Sequence, residues 1–306
     1  MEEALYSDLG FFNTDQVRSD KEGDFLTSPE VSKYFGKIIR NWIHSESNLK
    51  NIIEIGSGTG SLIEQIGIKE ITAVELSSTA REELIKKGID THTTIDELTT
   101  KTSDLIFGNE ILDNIPCSIG LYKDEGWYEK VVLLEENSLA YGLRPIRNEE
   151  LDWINKNNIV PNEDYEFEIQ VNIDKFLNSV IKKINPGKIL LFDYGYEQKN
   201  RDKRMYSSLL RTYKNHHLSV DPIDDPGNID ITYDVNFSSI SSELKYLGYD
   251  VTLKLQRDFL LDNGFNIFFD ELQEKYIYAE GIEKLKINSE LNGMKAIVDS
   301  NGLVGF

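Results

Sequence analysis

Residues 51–60, Asn51-Ile52-Ile53-Glu54-Ile55-Gly56-Ser57-Gly58-Thr59-Gly60, decide the fold. NIIEIG is a short, mostly apolar run that stops on a glycine and reads as a strand over 51–55, and SLIEQIG (61–67) continues as a short helix. A strand that turns through alternating glycines straight into a helix is the opening of an α/β unit. The glycines allow a tight turn and a close approach of backbone to ligand. The unsatisfied N–H groups at the start of the helix favour an anionic group. ITAVEL (71–76) reads as the next strand, and its Glu75 lies 19 residues after Gly56. An acidic side chain there accepts hydrogen bonds from ribose hydroxyls, so a nucleoside ligand is expected. The dinucleotide pattern G-x-G-x-x-G would need a glycine at position 61, where the chain has Ser61.

Working outward, STAREELIKKG reads as a helix stopped at Gly88, and SDLIFGNE (103–110) as a further strand. Upstream, EVSKYFGKIIRNWIH (30–44) places Val31, Tyr34, Phe35, Ile38, Ile39 and Trp42 on one helical face. Strands alternating with helices predict a mostly parallel sheet covered by helices on both faces. The alternation breaks at 118–146, where GLYKDE and WYEKVVLLEE predict an antiparallel hairpin at the sheet's edge. A helix at about 148–156, a strand at 165–170 (YEFEIQ) and an amphipathic helix closed by Asn185-Pro186-Gly187 follow. KILLFDYG (188–195) returns to a buried strand. Residues 197–236 are polar, rich in Asp, Pro, Asn and Gly, and show little periodicity, which predicts a long functional loop or lid. A helix (237–247), a strand (249–255) and further helices complete the chain. No linker divides it, so the expected organisation is one domain over 1–306. It has a cap at about 1–45, a core at about 46–117 and 185–306, and an insertion at about 118–184.

Composition narrows the classes. The chain has 306 residues, 33 Lys+Arg and 53 Asp+Glu, a net charge of −20. An apolar share of 40% is too high for a disordered chain. The negative charge opposes nucleic-acid and anionic-membrane binding, which both need excess basic groups, and suits a basic partner segment. One cysteine, Cys117, excludes an intramolecular disulfide and a cysteine-based zinc site. No clustered ligand spacing suggests a metal. The acidic start MEEALYSDLG lacks a long apolar run, and no stretch approaches the roughly 18 apolar residues of a membrane span. A cytoplasmic location is expected, and the oligomeric state is left open.

Several motifs then carry a resemblance. The loop Glu54-x-Gly56-x-Gly58-x-Gly60 resembles the S-adenosylmethionine (SAM) loop of Rossmann-type methyltransferases. GDFLTSPEV (23–31) with Phe35-Gly36, GNEILDNIP (108–116), Asp193-Tyr194-Gly195-Tyr196, His217 ahead of Asp221-Pro222, DPGNIDIT (225–232) with Asp234-Val235-Asn236-Phe237, and the ending Gly293-Met294-Lys295 with Gly305-Phe306 follow in order. Over nearly the whole chain the sequence is similar to the MidA family of class I SAM-dependent methyltransferases. The resemblance implies a Rossmann-like core, SAM as cofactor, and methylation of an arginine in a subunit of respiratory NADH:quinone oxidoreductase (complex I) during assembly. Two other functions compete: a methyltransferase with a small-molecule or non-arginine acceptor, and a non-catalytic SAM-binding assembly factor.

An arginine acceptor is charged and a poor nucleophile, and carboxylates can orient it bidentately. Glu110 and Asp113 are the catalytic candidates. A helical turn over 109–114 would put both on one face, with Asn109 beside the methyl donor. Asn109 and Asp113 could equally cap that turn. Asp24, Thr27, Glu54, Gly56, Gly58, Gly60, Glu75 and Asn109 are the expected cofactor residues. Ser28-Pro29-Glu30 also reads as an ordinary helix start with Ser28 as cap. Asp193, Tyr194, Tyr196, His217 and Asp225 are the candidates for the acceptor side. Buried tyrosines often simply pack with the hydroxyl bonded, and aspartates often turn the chain.

Overall fold

In the computed structural model the described residues are 1–13, 27–46, 48–99, 101–136, 138–203, 209–214, 217–218 and 221–305. The chain gathers into two compact units. The core unit comprises Asp15–Ile111, Val180–Tyr194 and Thr252–Phe306, and the insertion unit Met1–Thr14, Leu112–Ser179 and Gly195–Val251. Residues 195–251, read from sequence as core, thus pack with the insertion, as does the extreme N-terminus.

The core unit is built on a mostly parallel sheet, a Rossmann-like arrangement. Thr91–His92, Ile71–Val74, Ile52–Ile55, Ser103–Asn109 and the strand beginning at Ile184 lie side by side in parallel. Gly302–Gly305 and Leu253–Leu255 extend the sheet antiparallel to their neighbours. Numbered along the chain, the order is 3-2-1-4-5-7-6, and it reverses between Ile52–Ile55 and Ser103–Asn109. Open α/β sheets bind ligands beyond the carboxyl ends of the strands at such a reversal.

The local chemistry explains these elements. All four residues of Ile52–Ile55 are buried, as expected of a central parallel strand covered on both faces. The helix Tyr34–Ser45 buries Phe35, Ile38, Ile39, Trp42 and Ile43. Those side chains join Ile52, Phe107, Phe192, Phe259 and Met294 in the main core. The expected single helix over 30–44 is broken. Ser28–Val31 and Tyr34–Ser45 are separate, because Ser32 is extended (φ −150°, ψ 121°). The Asn185-Pro186-Gly187 stop lies inside the strand Ile184–Tyr196, where the register against Ser103–Asn109 shifts. A Cβ on Gly187 would stand 2.5 Å from the Asp104 carbonyl oxygen, so close strand contact, not a turn, selects the glycine. The final strand Gly302–Gly305, with three of its four residues buried, had no separate reading in sequence.

The insertion unit corrects two expectations. The hairpin does not extend the main sheet's edge. Ser118–Lys123, Gly126–Glu135 and Ser138–Pro145 join Tyr165–Ile169 in a separate antiparallel sheet of four strands. Its inner face packs Phe167 and Ile169 with Trp153 and Ile154 of the helix Asn148–Lys156. Nor is 197–236 a structureless loop. Leu210–Lys214 pairs antiparallel with His217–Leu218 and with Asp230–Tyr233. The last two residues of the long strand, Gly195 and Tyr196, pair with Val235–Asn236 in this same unit.

Candidate active site

The glycine turn sits at the carboxyl end of Ile52–Ile55, in the core unit. Gly56, Gly58 and Gly60 all have positive φ (69°, 51° and 88°), a backbone that side chains resist. Gly60 is the N-cap of the helix Ser61–Ile66. At Gly56 the missing Cβ makes room for protein: an added Cβ would lie 2.3 Å from Ile111 Cγ2. Gly108 yields to the same side chain, at 2.6 Å from Ile111 Cδ1. Ile111 was absent from the candidates, since nothing in an apolar residue inside a polar motif announces that two glycines are shaped around it.

Glu75 follows the strand Ile71–Val74 and is held in place by backbone. Its Oε2 accepts from Gly58 N–H at 2.9 Å and its Oε1 from Ser77 N–H at 2.7 Å. Burial raises its carboxyl above the ordinary range, against the lowering effect of these bonds and Arg81. Each oxygen keeps further acceptor capacity for a ribose hydroxyl.

Glu54 is different. It is 2% exposed, and its Oε2 is a buried acceptor with no hydrogen-bond partner. Burial pushes its carboxyl well above the usual range; Ser57 works the other way, while Glu75 and Glu30 push it higher. Asn109 Oδ1 is a second buried acceptor without a partner. In the parallel pairing Glu54 stands opposite Phe107, and side chains alternate along a strand, so Glu54 and Asn109 project from the same sheet face. Unmatched buried polar atoms are costly and rare in folded chains, which marks this corner as built for something with donors.

Glu110 ends the strand with φ +53°, so the expected helical turn over 109–114 does not form. Its N–H donates to the Phe192 carbonyl at 2.8 Å. Its Oε1 accepts from Ser28 N–H at 3.2 Å and from Asn109 Nδ2 at 3.3 Å. Thr27, not Ser28, is the N-cap residue of Ser28–Val31, and its hydroxyl bonds the Glu30 carboxylate. Ser28 Oγ accepts from Gln256, which also donates to the Ile297 carbonyl at 2.9 Å. Gln256 had no sequence signal. Asp193 is 1% exposed, and its Oδ1 accepts from the Tyr194 N–H at 2.8 Å. Asp24 lies outside the described residues.

The other candidates belong to the insertion unit. Asp113 is buried, and its carboxyl is pushed up to about 7, chiefly by burial; Arg211 opposes the rise and Asp234 adds to it. Arg211 Nη1 bonds Asp234 Oδ1 at 2.7 Å. The neighbouring Asn114 donates to Asp230 at 2.9 Å, and Tyr233 OH donates to the carbonyls of Leu112 and Ile115. Asp113 therefore sits in the polar packing that holds the 112–115 turn, and Arg211 is the partner that sequence reading missed. Tyr196 OH donates to Glu168 at 3.4 Å inside the unit. Asp225 accepts from Asn228 Nδ2 at 2.8 Å, an ordinary turn role. His217 lies in a two-residue strand, and its side chain lies outside the described part. Among the described residues no cluster could hold a metal, and no helix is long and apolar enough to cross a membrane.

A family model described as S-adenosyl-L-methionine-dependent methyltransferase matches residues 36–252. The chain belongs to the MidA family. It is a SAM-dependent methyltransferase, and SAM is its cofactor. The protein arginine methyltransferase NDUFAF7 homolog, mitochondrial, of Caenorhabditis elegans is 25% identical over 303 residues, covering 83% of this chain and 68% of that one. The zebrafish (Danio rerio) NDUFAF7 is 25% identical over 320 residues, covering 86% and 72%. A COG1565 superfamily structure from Burkholderia thailandensis, bound to S-adenosyl-homocysteine, superposes with TM-score 0.86 at 22% identity. It covers all of this chain, which spans 85% of it, and fixes the fold of this MidA-family member. The residues present fit the cofactor. Glu75, held by two backbone N–H groups, keeps acceptor capacity that suits a ribose hydroxyl, and the Glu54 and Asn109 oxygens without partners suit a group with donors.

Proposed function

We propose that the chain is a protein-arginine N-methyltransferase whose acceptor is a basic segment of a respiratory NADH:quinone oxidoreductase subunit during assembly. The curated relatives are named as arginine methyltransferases, and the net charge of −20 suits a cationic segment. A cytoplasmic location belongs to the same reading, while those relatives are named mitochondrial. The observation that carries the reading is Glu110. A carboxylate stands just past the end of a core strand, at the sheet's reversal, with one oxygen fixed by Ser28 and Asn109.

When bound, SAM supplies a methyl group on a sulfonium. The chain's part is to hold and orient. Glu75 and the glycine turn position the nucleoside. Glu110 orients the guanidinium and draws its positive charge toward the held nitrogens, leaving electron density on the attacking one. With SAM bound, that nitrogen would take the methyl group the sulfonium releases, and Glu110 would hold the guanidinium while the methylated nitrogen gives its proton to solvent. Asp113, buried beside Arg211 and Asp234, is assigned to the polar packing of the insertion unit. Asp193 and Tyr194 are assigned to the acceptor side, while Tyr196 and Asp225 bond Glu168 and Asn228 within the insertion unit.

Incubation with labelled SAM and cell extract, followed by peptide mapping, should place label on arginine in one protein. Label confined to another residue type or to small molecules would remove this reading.

A further inference from the structure

Gln256 is a polar side chain where the core would accept an apolar one. It opens the helix Gln256–Asp262 and is 3% exposed. A buried amide is costly unless its hydrogens are answered, and here both are. Its Nε2 donates to the Ile297 carbonyl at 2.9 Å and to Ser28 Oγ at 3.3 Å. A carbonyl can only accept, so the amide nitrogen must face this way. The fold leaves room for the other side of the amide: a Cβ on Gly302 would stand 2.9 Å from Gln256 Oε1. The bond to Ile297 ties Gln256 to the helix Gly281–Asp299. The bond to Ser28 spans 228 residues and ends on the residue whose N–H donates to Glu110 Oε1 at 3.2 Å.

The segment around Ser28 is already held without that second bond. Gln65 donates to the Pro29 carbonyl at 2.7 Å, and Gly293 comes so near Val31 that an added Cβ would lie 2.5 Å from its carbonyl oxygen. Neither contact involves the Ser28 hydroxyl. Glu110, with φ +53°, occupies a backbone region that persists only where its surroundings hold it. We propose that Gln256 is a positioning residue for methyl transfer: through the Ser28 hydroxyl it sets the place of the Ser28 N–H, and so the aim of the Glu110 carboxylate. The inference rests on the reading of Glu110 as the group that orients the guanidinium. No bond is made or broken at Gln256, and its effect is on geometry alone.

The test uses the full chain with labelled SAM and cell extract, counting labelled methylarginine after acid hydrolysis, beside calorimetry with SAM. Gln256→Met keeps the length of the side chain and loses its donors. It should bind SAM within about twofold of the wild type, while arginine labelling falls about tenfold or more, even at saturating extract. Ser28→Ala keeps the N–H and loses only the hydroxyl. It should give a similar fall, and the double variant no further one. Labelling by Ser28→Ala at the wild-type rate would overturn the proposal even if Gln256→Met failed to fold. So would a loss in Gln256→Met matched by an equal loss of SAM affinity, or losses that multiply in the double variant. Glu110→Gln separates the two claims. If it labels arginine at the wild-type rate, the reading of Glu110 and this inference fall together. If it is inactive while Gln256→Met and Ser28→Ala are not, only the link through Ser28 fails.

Discussion

Two polar regions of this molecule contrast. Around Arg211 in the insertion unit, charge is answered inside the fold: Arg211 bonds Asp234, Asn114 bonds Asp230, and the Tyr233 hydroxyl serves two carbonyls. Around Glu54 in the core unit, a buried carboxylate meets two further acids and leaves an oxygen unpartnered. Folding alone selects for the first arrangement, because an unanswered buried charge costs several kcal/mol. The second persists where a ligand completes it. Glu110 and Asp113 share a motif, yet Glu110 accepts from Ser28 N–H and Asn109 in the core unit, whereas Asp113 lies beside Arg211 in the insertion unit.

The largest expected effect is at Glu110. Glutamine keeps an acceptor for Ser28 N–H and removes only the charge, so Glu110→Gln should fold and bind SAM while methyl transfer falls about 10³-fold, or roughly 4 kcal/mol. Radiolabel transfer beside calorimetry reads both; unchanged turnover would return Glu110 to a purely structural role. Next is Arg211→Met. It leaves buried Asp113 and Asp234 without their cation and should cost about 3–5 kcal/mol in denaturant unfolding. A loss under about 1 kcal/mol would erase the contrast between the regions. Gly56→Ala combines positive φ with overlap onto Ile111 and should cost roughly 2–4 kcal/mol.

A subtler test uses pH. The Asp113 carboxyl is raised to about 7 in the folded chain, against about 4 when unfolded. Between those values the folded state holds a proton that the unfolded state has lost. The stability it contributes is complete below about pH 4 and is lost as pH rises through about 7. Asp113→Asn cannot titrate, so its thermal midpoint should fall less than that of the wild type between about pH 5 and about pH 8. Parallel pH profiles would show that Asp113 is not the buried acid described. The smallest effect is at Lys33, whose ion pair with Glu290 is half exposed. Lys33→Ala should change stability by about 0.5 kcal/mol or less.

The alternation of apolar runs with glycine stops was enough to read the parallel strands, since each buried strand must be apolar throughout and each turn needs residues that tolerate it. The segment 197–236 was opaque for the opposite reason. The short strands Leu210–Lys214 and Asp230–Tyr233 bury Arg211, Thr212, Asp230 and Thr232 beside Ile231 and Tyr233, so their burial leaves no apolar periodicity to read. The hairpin's strands were legible, but its separation from the main sheet depended on Tyr165–Ile169, a pairing across more than forty residues.

Sequence by itself determined the α/β core, the glycine turn, the acid after the second strand and the family, because these follow from local backbone demands and from motifs in fixed order. Tertiary structure alone decided which carboxylates are answered. Glu54, Glu110 and Asp113 are the same chemistry on paper. Only packing sets one among acids with an open oxygen, one against a helix N–H, and one beside an arginine about a hundred residues away.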